Sequence, residues 1–540
     1  MKKIFFSAIF AAAIPCIAAP KLSTGGARNG ASFASATAAN GGVAQGARFV
    51  LLGKDLGPAE SASNEAYPLA TELGGVSVKV TIGDTTLDAW VLSASGTKIV
   101  AMLPSTAPVG KGKVSLTYNS ESTQGDIEVV SRAVGIFTGG TRGAGQAIAL
   151  SVDSGAPLLV AASAKPGQQI RLRATGLGSV EGDEASAPTT KTFDTSDLEV
   201  RIADKIATIR AAQRTETAGI DEIVVEVPSG VDGCFAPVVV KNGSKYSNFV
   251  TIPVAANGGF CSSNLVSAGS LEGAAANGEV RSGTIGLSRF GINVQGAEIV
   301  TDTASGSFQK YKLEDYGGSG ASSQSDFALG SCMVLNFDFV PDEGPEVPFA
   351  PPVDLAAGRL TVTGPKGEKS LGDIKGSFSV ELGTGFNIAL PPGVPSLPST
   401  LFLEPGSYTV EGTGGADVGP FSVQVQMNLV EWTNPSVAAA VVRSQPLNLT
   451  WTGGGASDYV MALGTSFTRA NSGTFVCIAK ASDLKITVLP HILQNLPASV
   501  SEGSILGLFS ISEPKSFKAS GLDIGSLTFS RFFAREANFR

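Results

Sequence analysis

Val76, Val78, Val80 and Ile82 alternate with Ser77, Lys79 and Thr81. A period of two puts successive side chains on opposite faces of an extended chain, so this stretch predicts a strand with one face buried. The same pattern recurs far along the chain. Phe421, Val423, Val425 and Met427 alternate with Ser422, Gln424, Gln426 and Asn428, the cleanest case, and Leu447, Leu449 and Trp451 alternate with Asn448 and Thr450. Met333, Leu335, Phe337 and Phe339 share one face of a further strand. Short apolar runs at 47–52, 99–103, 114–118, 127–130, 170–174, 198–202, 206–209, 223–227, 238–240 and 250–254 predict more strands, many bounded by Gly or Pro. In the second half, 280–292, 360–362, 378–382, 401–403, 475–478, 484–489 and 505–511 read the same way, and only 492–496 suits a short helix.

The first half carries an internal repeat. A GKDLG turn at 53–57 follows one strand and TGLG at 175–178 follows another; Leu56 and Leu177 lie 121 residues apart, and Pro104 and Pro228 lie 124 apart. A near-constant offset over two landmarks marks two copies of one unit with small loop changes. About seven short strands in some 110 residues is the rhythm of an immunoglobulin-like sandwich. The expected fold class is all-β: tandem immunoglobulin-like β-sandwiches at 27–132 and 133–262, then β-rich units at 263–430 and 431–540 that either stand apart or form one. Pro-rich stretches at 341–352 and 391–399 interrupt this second half.

Several segments resemble the tandem IPT/TIG-like modules of uncharacterised secreted acidobacterial proteins. They are NGASF at 29–33, GKDLG, LGGVSV at 73–78, VGIF at 134–137, GQAIAL at 145–150, KPGQQIRLRATGLG at 165–178, Cys234 before APVVV, and SNFVTIPV at 247–254. Val134 departs from the proline usual before Gly-Ile-Phe. The resemblance spans about residues 27–262 and implies export and a surface role. It carries no catalytic residue. GPKGEKSL, PGSYTVEGTGGADVGPF and LTWTGG in the second half match the same proteins only loosely.

The N-terminus agrees with export. Lys2 and Lys3 precede an apolar run from Ile4 to Ala19, broken by Ser7 and followed by Pro20. That run is short for a membrane span and has the form of a signal peptide, 1–18, cleaved after Ala18. No later stretch reaches the ~20 apolar residues of a transmembrane helix. Gly numbers 66, charged residues make up 16%, and the net charge is −8. The 39 Lys and Arg never cluster, which leaves no electrostatic footprint for nucleic acid. Four cysteines follow the signal: Cys234, Cys261, Cys332 and Cys477. None forms C-x-x-C, so an exported chain points to two disulfides among three possible connectivities, with free buried thiols as the alternative. Proximity favours Cys234–Cys261, and elimination then gives Cys332–Cys477, a bridge that crosses a division placed near Val430.

Candidate chemistry is sparse. His491 is the one histidine, flanked by Pro490 and Ile492, and no G-x-S-x-G elbow supplies a nucleophile for it. Glu181, Asp183 and Glu184 crowd around Gly182, and Glu314 and Asp315 sit in a similar loop; such acids are ordinarily solvated, although paired carboxylates are what a glycosidase needs. Asp315 and Asp326 lack the spacing of a calcium loop. No cofactor motif is found. Trp90 and Trp432 are candidate sugar-stacking surfaces, while Trp451 falls in phase with core positions. The reading is a secreted or cell-surface adhesion or scaffold protein without enzymatic activity, whose partner is an unidentified extracellular protein or polysaccharide. A carbohydrate-binding protein and a glycoside hydrolase are the alternatives.

Overall fold

The computed structural model describes residues 19–540 apart from 37, 39, 140–142, 264–266, 276, 295–296, 314–327, 339–351, 375–376, 388–398, 470 and 500–502. The expected signal peptide, both Pro-rich stretches in large part, and Glu314, Asp315 and Asp326 lie outside the described residues. The fold is all-β, with 54% of the described residues in strand and 4% in helix. Strands of four or more residues are numbered β1 to β26.

The first unit orders its strands β1 (Arg48–Lys54), β4 (Lys98–Met102), β3 (Thr85–Ala94), β2 (Val76–Ile82), β5 (Gly110–Tyr118) and β6 (Glu121–Val130) across the sheet. The alternation over 76–82 holds: the four aliphatic residues are buried, and Ser77, Lys79 and Thr81 are not. β3 pairs with β2 along its first half and with β4 along its second, and the register shifts between Val91 and Ser93. One strand thereby passes between two layers, the way sandwich corners are made. Phe49, Leu51, Val78, Val91, Ile99 and Leu116 fill the space between the layers.

The second unit repeats the path. β7 (Gln169–Thr175), β10 (Asp221–Glu226), β9 (Lys205–Arg214), β8 (Leu198–Ile202) and β11 (Gly233–Asn242) follow in that order, and β12 (Val250–Val254) pairs with β11. Here β9 passes from β8 to β10, with its own register shift between Ile209 and Ala211. β1 begins at Arg48 and β7 at Gln169, 121 residues apart, so the offset read from Leu56 and Leu177 is a repeat of topology. The TGLG turn needs its first glycine: Gly176 has φ +96°, and a Cβ there would lie 2.0 Å from the Ala133 carbonyl oxygen.

Most of the described strands beyond β12 build one 14-stranded sheet. Its order is β15 (Cys332–Asp338), β23 (Asn471–Lys480), β22 (Tyr459–Phe467), β25 (Ile505–Ile511), β26 (Ile524–Glu536), β13 (Glu279–Val294), β14 (Ala297–Lys312), β18 (Ser377–Asn387), β17 (Gly367–Ile374), β16 (Leu360–Gly364), β19 (Gly406–Gly412) and β20 (Phe421–Met427). β21 (Leu447–Gly453) and β24 (Lys485–Val488) belong to a separate three-stranded sheet. Strands from both sides of Val430 thus share one sheet, and β26 runs parallel to β13 from Ile524 opposite Ser282 to Arg535 opposite Asn293. Two cores lie against it. β26 gives Leu527 and Phe529 to the one around Ile285, Leu287 and Phe308, and Ile524 to the one around Val460, Phe475 and Leu508. Trp451 is buried in the latter, and its indole N–H donates to the Ala481 carbonyl at 2.9 Å.

An α-helix at Ala268–Ala275 was not expected from the sequence. Gly269, Ser270 and Gly273 weaken its local signal. What holds it is tertiary, since Leu271 and Ala274 are buried in the large C-terminal core.

Candidate functional site: the junctions between units

The strand β11 is buried on both faces. Ala236, Val238 and Val240 point into the sandwich of the second unit. Phe235 and Val239 point the other way, where a sandwich strand ordinarily meets water, and pack with Phe249 and Val160 in the same cluster as Val280, Met333 and Val476 of the C-terminal sheet. The alternation therefore serves two cores at once. Disulfides Cys234–Cys261 and Cys332–Cys477 are both formed, and all four cysteines belong to this cluster.

His491 lies at the edge of this contact, in a short helix at Pro490–Leu493. Its Nε2 stands 3.3 Å from Asp204 Oδ1 of the second unit, and its ring centroid is 6.2 Å from that of Tyr246. The side chain is about 10% exposed. Its described side-chain partners are a carboxylate and a phenol ring on the adjoining unit, which is a clamp between units, with no serine or threonine hydroxyl among them.

The junction between the first two units is polar and buried. The Arg48 backbone N–H donates to Thr175 Oγ1 at 3.0 Å, its Nε donates to the Ala218 carbonyl at 2.7 Å, and its two terminal nitrogens hold both oxygens of Glu65 at 3.0 and 2.9 Å. Arg214 donates from Nε to Asp221 Oδ1 at 2.6 Å and from Nη2 to the Gly178 carbonyl at 3.1 Å. Its Nη1 lies 3.5 Å from Glu184 Oε1. The other Glu184 oxygen crosses the junction and accepts the Ser105 N–H at 2.8 Å, while Ser105 Oγ accepts the Val180 N–H at 2.9 Å. Side-chain exposure is 2% for Arg214, 0% for Asp221 and 6% for Glu184. Burial pushes both carboxyls above their ordinary range, and the Arg214 guanidinium opposes the push.

A raised carboxyl beside a second one has the look of an acid–base pair. The space around them decides otherwise: Asp221 does not line the cavity beside Glu184, which is bordered also by Arg214, Tyr67 and Thr215 and measures about 10 Å³. That is close to the least volume that holds one water, and a sugar ring does not enter it. Glu181 and Asp183 take no part. Both are exposed, and hydrogen bonds from Ser186 and the Ala185 N–H hold the Asp183 carboxyl below its usual range. The acidic cluster at 181–184 is thereby divided, with Glu184 turned inward and its neighbours left in water.

The structure does not bring Trp90 and Trp432 together. Trp90 is half-buried in β3 beside Tyr67, Leu69, Met102 and Ala218, at the first junction. Trp432 is half-buried opposite Trp451 in the C-terminal region, and its indole N–H donates to Asn434 Oδ1 at 2.9 Å. An open groove of about 360 Å³ lies where β13 and β26 end against Pro435–Ala439, with Arg535 and Glu536 on its wall.

Arg48 crosses the first junction, Arg214 backs Glu184 there and is itself held by Asp221, and none of the three was legible as a site residue. Their partners lie 7 to 170 residues away and follow no local spacing. The available signal was charge next to apolar runs, Arg48 before Phe-Val-Leu-Leu and Asp221-Glu222 before Ile-Val-Val.

No protein-family model matches the chain, and no curated protein matches it by sequence. Among solved structures it is similar to domains 4–9 of the surface layer protein SbsC, at 12% identity and TM-score 0.16, covering 94% of this chain and 83% of that one. It is similar to the titin Ig tandem A164–A165 at 11% identity and TM-score 0.11, over 44% of this chain and 97% of that one. It is similar to SGBP-B of the Bacteroides ovatus mixed-linkage glucan utilization locus, solved with a mixed-linkage heptasaccharide, at 11% identity and TM-score 0.14, over 89% and 94%. Superpositions this loose carry no argument about function. The fold rests on the sheets and cores described above: tandem immunoglobulin-like sandwiches joined to a larger β-sheet region.

Proposed function

We propose that the chain is a non-enzymatic adhesion or scaffold protein that works outside the cytoplasm, its first two units being IPT/TIG-like modules. The observation that supports this best is the pair of buried junctions. A protein that presents a surface at a fixed distance needs units that do not swivel, and interfaces between domains are ordinarily polar and mobile unless buried and apolar. Here the second junction is a shared hydrophobic core, and the first, though polar, is closed by buried hydrogen bonds of Arg48, Ser105 and Glu184. Two disulfides suit an oxidising compartment. Among the described residues no helix is long and apolar enough to cross a membrane.

Fractionating cells that express the full chain tests the compartment. The protein is expected outside the cytoplasm, with its mature N-terminus at Ala19 and all four remaining cysteines oxidised. Uncleaved protein in the cytoplasm with free thiols would contradict the reading.

A further inference from the structure

Four neighbouring strands, β26, β13, β14 and β18, present one face away from the core that holds Ile285 and Leu287. The register sets the residues of that face in rows across the strands. One row is Phe532, Phe290, Thr301 and Thr384; the next is Ala534, Ile292, Ile299 and Phe386. Phe290, Ile299 and Phe386 are 45%, 44% and 42% exposed, so three of the large exposed apolar side chains of the described residues fall within these two adjoining rows. Phe532 lies beneath them, its ring 5.1 Å from Phe290 and 6.2 Å from Phe509. The three rows toward the other end of the strands consist of Ser, Thr and Gly with Glu381 as their one ionisable residue; Ser288 and Ser530 are hydrogen-bonded at 2.8 Å, and Thr284, Ser305 and Ser379 are exposed.

We infer that this face binds a neutral polysaccharide chain. The proposal rests on the extracytoplasmic adhesion reading and names the ligand class and the surface. Sugar rings offer apolar C–H faces to aromatic side chains and hydroxyl edges to hydroxyl side chains, and this face supplies both side by side on a rigid sheet. Phe290 and Phe386 are two strands and two residues apart in register, roughly 12 Å at ordinary sheet spacings, about the span of two linked sugar rings. No Lys or Arg stands in the rows, which disfavours an anionic glycan or an anionic lipid surface. Size disfavours a stable second copy: β26 is covered on this side at Ser526, Ser530, Phe532 and Ala534, and three open strands by about nine residues offer roughly 400–500 Å², against about 800 Å² per partner in a standard interface.

The test is retention of the full-length secreted protein on insoluble cellulose, xylan and chitin, with sedimentation velocity alongside. The natural protein is expected on at least one of the three. Phe290→Ser with Phe386→Ser is expected to lower retention at least tenfold with the thermal midpoint unchanged, since both rings are exposed. Ser305→Arg leaves the rings in place and is expected to weaken retention by setting a charge among the hydroxyls. Failure to bind any of the three, or equal retention of the variants, would overturn the inference. So would a shift from dimer to monomer in the double variant, which would make the face a self-association surface. Loss of this inference with the protein still found outside the cytoplasm leaves the scaffold reading standing.

Discussion

Arg214→Met is expected to destabilise the folded chain by about 3–5 kcal/mol, the usual cost of removing one partner from a buried ion pair. Methionine approximates the stem and removes the charge. Asp221, fully buried, then loses the hydrogen bond at 2.6 Å, and Glu184 loses its nearest cation. The pH dependence separates this cause from simple loss of packing. The Asp221 carboxyl is already held above its ordinary range by burial, and the Arg214 guanidinium is what most opposes that shift. Without Arg214 it moves further up. A carboxyl raised in the folded state takes up a proton on folding, so its ionisation costs stability as pH climbs from the unfolded value to the folded one. The deficit of the variant therefore grows as pH rises through the folded-state pKa of Asp221 and shrinks as pH falls below it. Urea unfolding followed by hydrogen exchange in β1, β7 and β9 reads it locally, which matters in a chain of several units where one global transition is not assured. A deficit that does not change with pH would assign the loss to packing alone.

The second large effect concerns the disulfides. Cys332–Cys477 closes 145 residues and Cys234–Cys261 closes 27. On a loop-entropy account the first is worth about 5 kcal/mol and the second about 3.5 kcal/mol, upper values because engineered and native bridges often deliver less. Position widens the gap. Cys332 is on β15, which among the described residues pairs with β23 alone at the end of the sheet order, so the bridge pins a strand whose chain connection is remote. Replacing both Cys332 and Cys477 by Ser is expected to lower the urea midpoint more than replacing Cys234 and Cys261, and to expose the amides of β15 first. Equal losses in the two variants would show that loop length and position do not govern here.

Much of the fold was legible because its signals are local. Alternation at 76–82 and 421–427 depends only on neighbours two residues apart, and both strands bury the predicted faces. The 121-residue offset between turns survives as matching strand orders. β11 was harder. Its unbroken apolar run reads as a buried strand, but nothing local says that Phe235 and Val239 face a second core formed by residues beyond 270. The same applies to the parallel pairing of β26 with β13, whose paired residues lie about 240 positions apart. The site was less legible than the fold. Trp90 and Trp432 stood out as rare aromatics, yet each is half-buried at its own packing seam. The exposed phenylalanines of β13 and β18 look like ordinary strand residues until the register places them together.

The central claim is that both junctions are fixed. Pairs of spin labels at the exposed positions Asp84 and Asp153, and at Asp153 and Lys369, report on each junction by double electron–electron resonance. The account predicts one narrow distance distribution for each pair, and broadening of the first pair alone in Arg214→Met. Broad or multiple distances in the unmodified protein would show units that swivel, and would contradict it.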